Sequence, residues 1–423
     1  MGKVLRKVIT SLLATTMVLG LVGCGGNSSP KEEAAQKFNS DVYKLNGYIQ
    51  DWGNFGTDAT WITQYKDIME GDIDVLMAGG VVMLAEMCRG QGTAKTGSVE
   101  SIDVTTEQYL QSGNLEFVAV KFPSSVGAPY ALLMSAINGQ AIRNEDGTVP
   151  TFENGYWFAH NIDEFNNMKK IDSPEGGYAY SKDLLAKYTS TNSNKLVAKD
   201  FAKFAETYKV DEIEALNEEV KGFSYEGIKG AKIMVLRTDD SKGGEAEAMY
   251  NYLNYVSDLY GVKLDWRTTL SEEDVYSALS DAKANGYNGV MSMSEKDRDY
   301  QLQYCEKEKI YYTILSGSLD AEQYEQYKDY NYFVGSAAPG EDAEYECGYE
   351  MAKYFATEKK YTKYGMFGGN LAFGSDDPMF INRITGMIKG LIDSDESGST
   401  NYCGYTDRNE IYDTLAKDMN VKY

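Results

Sequence analysis

The sequence predicts an α/β protein with two Rossmann-like lobes, each built on a central parallel sheet. Three observations predict this fold class: short apolar runs bounded by polar residues or glycine, amphipathic runs of helical length between them, and the recurrence of this alternation in two separate stretches. Such alternation favours parallel sheets, because a parallel pair of strands needs a crossover connection that is usually a helix. With 423 residues, the chain is long enough for two or three domains.

The clearer stretch begins at Lys232. Apolar runs predict its strands, and residues at helical spacing, such as Ala248, Tyr252 and Leu259, predict its helices. The predicted strands are 232–237, 262–266, 289–292, 311–315, 332–335 and 364–367, and the predicted helices are 245–260, 272–285, 297–307, 343–359 and 378–392.

The earlier stretch repeats the pattern. Its predicted strands are 45–50, 73–77, 101–104 and 116–122, and its predicted helices are 57–69, 81–89 and 128–138. A polar helical region at about 180–222 is expected to pack on it and to lead to the second stretch.

The domains predicted are a signal peptide at 1–23, a flexible tether at 24–40, a first α/β domain with its helical extension at 41–225, a second α/β domain at 226–396 and a C-terminal segment at 397–423. Residues 401–406 of that segment are a further strand candidate for the first sheet.

The N-terminus has the pattern of an export signal. Lys3, Arg6 and Lys7 precede an apolar run at 8–22, which is too short and interrupted to span a membrane, where about 20 apolar residues are needed. The following Leu-Val-Gly-Cys, ending at Cys24, resembles the lipobox of bacterial lipoproteins. That resemblance implies cleavage before Cys24, a lipid on its sulfur and a folded part held on the extracytoplasmic face of the cell membrane. The alternative is a soluble secreted protein.

Composition excludes several classes of function. The formal net charge of −23 argues against nucleic acid as a partner and against electrostatic binding to anionic lipid. His160 is the single histidine, so a multi-histidine metal site is excluded and a structural role is expected for it. The sequence has no G-x-G-x-x-G loop, P-loop or nucleophile elbow, so neither an enzyme nor a cofactor is expected.

Four cysteines follow Cys24 without zinc-like spacing: Cys88, Cys305, Cys347 and Cys403. Disulfides form readily outside the cytoplasm, but the sequence does not pair these four. Buried free thiols are at least as compatible with it.

Both stretches carry motifs of a known family. In the second stretch these are the strand 232–237, Phe333-Val-Gly-Ser followed by Gly348-Tyr-Glu-Met-Ala, and Arg383-Ile-Thr-Gly; in the first they are Asp51-Trp52, Asp74-Val-Leu-Met-Ala-Gly, Ile102-Asp103, and Gly113-Asn-Leu leading to Lys121-Phe-Pro. The second stretch resembles the N-terminal lobe, and the first the C-terminal lobe, of type I periplasmic binding proteins of the ribose-binding group. The resemblance covers about three quarters of the mature chain.

The lobes are in the reverse of the family order. A circular permutation would explain this, with the family order running from about 228 to 423 and then from about 41 to 160; surface termini that lie close together tolerate such a change. The alternatives are two joined fragments of binding-protein genes, or half-domains that need partner chains.

The resemblance also implies a ligand site between the lobes, at the carboxyl ends of the strands. Trp52 corresponds to an aromatic residue that stacks on the sugar, and Asp103 to an aspartate that binds its hydroxyls. Lys121 replaces a glutamine, while Arg383 either faces the cleft or pairs within its lobe. On the other lobe, Asp239 and Asp240 are candidate acceptors.

Two departures from the family pattern fall at positions that bind the ligand in that family. The family's aspartate–arginine pair falls at Ser316-Gly317, so a guanidinium is missing from that position. The loop at Ala78-Gly79-Gly80 has also lost a polar side chain.

These expectations together predict a lipid-anchored solute-binding protein. It would bind a small polar ligand, a sugar or related polyol, and would deliver it to an ABC-type permease. The alternatives are a surface sensor of the same fold that signals to a partner receptor, and a nucleoside-binding lipoprotein.

Overall fold

The computed structural model describes residues 42–45, 73–80, 82, 86, 89–90, 92–102, 104–189, 196–207, 209–238, 244–367, 378–395 and 404–418. The strands in this part of the chain are β1 (Val42–Leu45), β2 (Val75–Ala78), β3 (Lys95–Ser101), β4 (Leu115–Lys121), β5 (Thr151–Glu153), β6 (Trp157–Ala159), β7 (Lys232–Arg237), β8 (Lys263–Thr268), β9 (Gly289–Ser292), β10 (Tyr311–Ile314), β11 (Phe333–Ala338) and β12 (Tyr364–Phe367).

The helices between these strands are α1 (Val104–Gln111), α2 (Gly127–Ile137), α3 (Ile162–Ile171), α4 (Lys182–Tyr188), α5 (Ala198–Ala205), α6 (Val210–Glu219), α7 (Gly244–Tyr260), α8 (Glu272–Ala284), α9 (Arg298–Glu308), α10 (Ala321–Tyr327), α11 (Glu341–Thr357), α12 (Pro378–Ser394) and α13 (Arg408–Asp418). A short 3₁₀ helix, Pro123–Val126, precedes α2.

The strands form two sheets, and the α/β fold class predicted from the sequence is confirmed. Sheet A has the spatial order β1-β12-β2-β3-β4-β6, and sheet B has the order β5-β11-β10-β9-β7-β8. The paired strands of sheet B are all parallel. Those of sheet A are parallel except β4 and β6, which pair antiparallel.

The strands do not divide between the sheets as the sequence suggested. β12 was expected in the sheet of the second stretch, but it lies in sheet A between β1 and β2. β5 lies beside β11 in sheet B, although it comes from the earlier stretch. Local apolar pattern predicts a strand but not its neighbours, because pairing is decided by packing against the rest of the chain.

The predicted strand at 101–104 is wrong. β3 ends at Ser101, and α1 begins at Val104. β3 is rich in polar residues, so the apolar pattern did not predict it. Thr96 and Ser98 are buried, and their hydroxyls donate to the carboxylates of Glu86 and Glu100 respectively. Their hydrogen bonds make polar side chains compatible with a buried strand.

The side chains of β4 show how sheet A is buried on both faces. Phe117 and Ala119 pack on the side of α11, α12 and α13, whereas Val118 and Val120 belong to a core on the opposite side. Successive side chains of a strand point to opposite faces, so a strand buried on both sides reads as a continuous apolar run.

Sheet B is buried in the same way. Met234 and Leu236 of β7 pack with residues of α8 and α9, while Ile233 and Val235 join the core that also contains Val118 and Val120. One apolar core is therefore continuous between the two sheets. It includes α2 and buried residues of α3–α6, of which α4–α6 lie in the helical region predicted at about 180–222.

Three short segments of the described chain pass from one sheet to the other. Residues 122–126 connect β4 to α2, which packs on sheet B; residues 154–156 connect β5 to β6; and Pro339-Gly340 connect β11 to α11, which packs on sheet A. Each segment starts at the carboxyl end of a strand. The carboxyl edges of both sheets therefore lie beside the same set of connections.

Candidate functional site

The carboxyl edges of the two sheets, with the three connections between them, form the candidate site. Ligands of open α/β sheets bind beyond the carboxyl ends of the strands, where loops rather than regular structure supply the side chains. The described loops of this region follow β2, β4, β9, β10 and β11.

Most of the residues predicted from the sequence lie outside the described part of the chain. These are the candidate ligand contacts Trp52, Asp103, Asp239 and Asp240, and the lipidation candidate Cys24. Lys121 and Arg383 are described, and the structure places both at the carboxyl edge of sheet A.

Lys121 is the last residue of β4 and is half-buried. Its Nζ lies 5.9 Å from the ring centroid of Tyr156, within the range of a cation–π interaction. Its partner in the register of the parallel pair is Ser101, the last residue of β3. The loop that begins with Ile102 therefore leaves the sheet directly beside Lys121.

Arg383, on α12, lies at the centre of a buried hydrogen-bond network. Its Nε donates to Glu344 Oε2 at 2.6 Å, its Nη2 donates to the Tyr156 hydroxyl at 3.1 Å, and its Nη1 donates to the carbonyl of Gly79. The Tyr156 hydroxyl donates in turn to Glu344 Oε1 at 2.8 Å. The network joins α11, α12, the loop after β2 and the connection at 154–156.

The charged and hydroxyl groups of this network shift the pKa values of one another. Burial alone lowers the pKa of Arg383, but its surroundings together, the Glu344 carboxylate first among them, more than offset this, so the pKa is raised. Burial and the same carboxylate raise the pKa of Tyr156 well above its ordinary value. Of the two roles predicted for Arg383, the geometry favours pairing within the lobe, where it holds the Gly79 loop in place.

A second arginine lies at the carboxyl edge of sheet B. Arg298 begins α9, and its side chain is 6 % exposed. Its Nη2 makes long hydrogen bonds, of 3.4 Å each, to the carbonyls of Ser294 and Ser316, which follow β9 and β10. Its Nη1 is buried and has no hydrogen-bond partner among the described residues.

The sequence had suggested that a guanidinium is missing at Ser316-Gly317, but the structure brings one there from a different element. A Cβ added to Gly317 would lie 3.6 and 3.7 Å from Nη2 and Nη1 of Arg298. Sequence reasoning missed this residue because it precedes Gly317 by more than a whole helix and strand. The available signal was a charged residue directly after the loop that follows a buried strand.

A buried polar network holds the loop that carries Arg298. The Gln301 amide donates to the carbonyls of Ser294 and Lys296 at 3.1 and 2.8 Å, and its oxygen accepts from the hydroxyls of Ser292 and Tyr312 at 2.7 and 2.9 Å. All four hydrogen bonds of one side chain are thus satisfied. The loop after β9 is fixed to the end of its sheet.

Asp172 fixes the connection at 122–126. Its carboxylate accepts from the backbone N–H groups of Ser124 and Ala179, each at 3.0 Å. The Ser124 hydroxyl accepts from Tyr180 N at 3.0 Å. Burial raises the pKa of Asp172 in spite of these hydrogen bonds. The helical region is thereby tied to one of the connections between the sheets.

Other features predicted from the sequence have structural roles or lie outside the described residues. His160 contacts Tyr354 at a centroid distance of 4.4 Å and pairs with Glu164. Cys305 and Cys347 are buried free thiols in different cores, and burial raises the pKa of both. Cys88 and Cys403 are outside the described residues.

Within the described ranges, no group of histidine, cysteine and carboxylate side chains could hold a metal ion. In the same part of the chain no helix is both long and apolar enough to cross a membrane.

Comparison with known proteins gives no identification. No protein-family model matches the chain, and no curated protein matches it.

Proposed function

We propose that the protein is an extracytoplasmic solute-binding protein of the type I periplasmic-binding-protein kind. In this proposal it holds a small polar ligand, a sugar or related polyol, between the lobes built on sheets A and B. It delivers that ligand to an ABC-type permease.

The strand order of the two sheets is the observation that carries the proposal. Sheet B, numbered from β7, has the order 2-1-3-4-5 followed by β5. Sheet A has the same order, 2-1-3-4-5 followed by β6, when β12 is counted first and β1 second. Two doubly wound sheets of one topology, joined by connections at their carboxyl edges, are the architecture expected of a two-lobed binding protein.

The same observation supports the circular permutation. Sheet A has the repeated order only if the count passes from β12 to β1, that is, from the last strand of the sheet in sequence to the first. A permuted chain explains this order more simply than joined fragments do, because β12 is inserted between β1 and β2 and pairs with both.

Lys121, one of the ligand contacts proposed from the sequence, lies at the carboxyl edge of sheet A. Lys121 is in register with Ser101, so the chain leaves β3 at Ile102 next to the lysine. In the proposal Asp103 accepts from ligand hydroxyls, Lys121 donates, Trp52 stacks on the apolar face of the ring, and Asp239 and Asp240 act from the other lobe. Arg383 contributes by holding the Gly79 loop.

The proposed membrane attachment rests on Cys24. A lipid there would anchor the chain, since each buried acyl CH₂ contributes about 0.8 kcal/mol. Cys24→Ser is expected to remain uncleaved or to be released. If this variant still enters the detergent phase in phase separation, the anchor lies elsewhere.

A thermal-shift screen with sugars, polyols, nucleosides and amino acids tests the binding function. A ligand that binds only the folded state raises its stability by about 2.7 kcal/mol at 100 times Kd. We expect a shift with at least one sugar or polyol. A shift with nucleosides alone would favour the nucleoside-binding alternative, and no shift with any of the four classes would contradict the proposal.

A further inference from the structure

The guanidinium of Arg298, at the carboxyl edge of sheet B, does not have a full set of hydrogen-bond and ion-pair partners among the described residues. Its only carboxylate neighbour among the described residues is Glu295, whose nearest oxygen is 3.9 Å from Nη2 and whose side chain is 79 % exposed. Water screens a carboxylate that is so exposed. Among the described residues, the buried positive charge is therefore poorly compensated.

Arg143 shows how the same sheet treats a structural arginine. Its Nη1 donates to the carbonyl of Phe333 at 2.7 Å, and its Nη2 donates to those of Asn331 and Tyr330 at 2.8 and 3.1 Å. Phe333 is the first residue of β11, so Arg143 binds at the amino edge of sheet B, at the opposite end of the strands from the candidate site. Arg298 has two contacts at 3.4 Å and a buried Nη1 without a partner.

The surroundings of Arg298 are built to keep it in place. Gln301 fixes the loop at 294–296 from within, and Asp297, in the left-handed region with φ of 44°, caps α9 by accepting from Tyr300 N at 3.2 Å. Gly317, with φ of 78°, lies beside the guanidinium, and a Cβ added there would lie 2.9 Å from Glu295 Oε1 and 3.6 Å from Arg298 Nη2. A rigid arginine with a free N–H pair is suited to a planar oxyanion, which it binds through two parallel hydrogen bonds.

We propose that Arg298 binds a carboxylate of the ligand, and that the ligand is an acidic sugar such as a uronic or aldonic acid. This inference rests on the proposed sugar-binding function and names the class of sugar. A neutral sugar would leave the buried charge of Arg298 with the exposed carboxylate of Glu295 as its counter-ion among the described residues, and a buried charge so weakly paired is costly. Lys121 places a second cation at the carboxyl edge of the other sheet, which also favours an anion. The net negative charge of the whole chain has little effect on anion binding at this site, because charges beyond about 8 Å are screened at physiological salt.

Matched pairs of probes test the inference by isothermal titration calorimetry: glucuronate against glucose, galacturonate against galactose, and gluconate against sorbitol. At least one acid is expected to bind the wild-type protein more tightly than its neutral counterpart. Arg298→Gln should weaken binding of that acid by roughly 10- to 100-fold, since a hydrogen bond to a charged group is lost, and should leave the neutral counterpart within about twofold. Arg298→Lys, which keeps the charge without the fork, should fall between wild type and Arg298→Gln.

Arg143→Gln is the matched control, because it removes an arginine of the same sheet at the opposite edge. It should lower the unfolding temperature and leave the affinity for the acid unchanged. Circular dichroism of each variant establishes that it is folded before titration.

Four results would overturn the inference. If neutral sugars bind and their acids do not, or if Arg298→Gln binds the acid as wild type does, Arg298 is not the carboxylate site, while the proposed solute-binding function stands. If sugar phosphates bind and the carboxylic acids do not, the anion is a phosphate. If no acidic or neutral sugar binds the wild-type protein, the proposed sugar function fails and the inference fails with it.

Discussion

At the scale of single residues, the two buried arginines of the candidate site differ in what they are paired with. Arg383 has a carboxylate and a carbonyl of its own lobe as partners, and the hydroxyl of Tyr156 in the connection at 154–156. Among the described residues, Arg298 has only carbonyls at long distance and an exposed carboxylate as partners. Burial alone therefore does not distinguish a structural arginine from a binding one, whereas the set of partners does.

Arg383→Met should destabilise the protein strongly. The substitution leaves the Glu344 carboxylate buried without its cation, and breaking a buried ion pair in this way costs about 3–5 kcal/mol. Urea unfolding of the purified variant measures the loss.

The double variant Arg383→Met/Glu344→Leu is the control, because it removes the orphaned charge as well. It should recover about half of the loss or more. If the double variant is as unstable as Arg383→Met alone, the ion pair is not the reason for the loss.

The residues of the site could be predicted from the sequence only where a motif carries them. Lys121 and Arg383 were found because each lies in a motif, at the end of an apolar strand or in Arg-Ile-Thr-Gly. Tyr156 and Glu344 were not found, because their roles depend on a connection between sheets and on the packing of two helices. Arg298 was missed for the same reason: its guanidinium reaches a loop that follows a different strand.

At the scale of elements, α11 and α12 pack in unusually close contact. A Cβ on Gly348 of α11 would lie 1.9 Å from the carbonyl oxygen of Arg383, and a Cβ on Gly386 of α12 would lie 2.0 Å from that of Tyr345. Both contacts are with backbone atoms, which cannot move away by a change of rotamer as a side chain can. The glycines of the two motifs noted in the sequence are thus explained by helix packing, and this packing in turn positions Arg383 against Glu344.

Gly348→Ala should therefore destabilise the protein by about 2 kcal/mol or more, although alanine is the better helix former by about 1 kcal/mol. The reason is steric, since α11 and α12 must move apart to admit the methyl group. Chemical denaturation measures the difference.

Asp393→Ala, on the exposed side of α12, is the matched control. It removes a partly exposed ion pair with Lys389 and an exposed hydrogen bond from the Tyr349 hydroxyl, and should change the stability by less than about 1 kcal/mol. A Gly348→Ala variant as stable as this control would show that the helices are not held at backbone contact.

Elements with strong local patterns were predicted well. The strands Lys232–Arg237, Gly289–Ser292 and Tyr364–Phe367 were predicted to the residue, because each is an apolar run bounded by residues that end a strand. β5 and β6 are three residues each and were not predicted. Strands so short have too few residues to show the alternation of apolar and polar residues that marks a strand. They are defined by pairing with a neighbouring strand, β5 with β11 and β6 with β4.

At the scale of the whole molecule, the chain crosses between the sheets so that neither half of it contains a complete lobe. Sheet A takes β12 from the second stretch, and sheet B takes β5 from the first. The continuous core between the sheets also includes α3–α6. Folding of the two lobes is therefore expected to be coupled.

Separate expression of residues 24–228 and 229–423 tests this coupling. The first fragment lacks β12, which lies between β1 and β2, so it should show no cooperative unfolding by itself; the second lacks β5 and the partners of β12 and should behave likewise. Mixing the two fragments should restore a cooperative transition. Cooperative unfolding of the first fragment alone would contradict the observed exchange of strands between the halves.

The central claim is that a small polar ligand is held between the carboxyl edges of the two sheets. Calorimetric titration of the ligand found in the thermal-shift screen, against wild type, Trp52→Ala and Asp103→Ala, tests it most directly. Loss of the Asp103 carboxylate should leave ligand hydroxyls without an acceptor, at about 1–3 kcal/mol, or roughly 5- to 150-fold in affinity. Trp52→Ala should weaken binding comparably, with both variants folded. If both folded variants bind the ligand as tightly as wild type does, the ligand is not held by these residues and the claim is wrong.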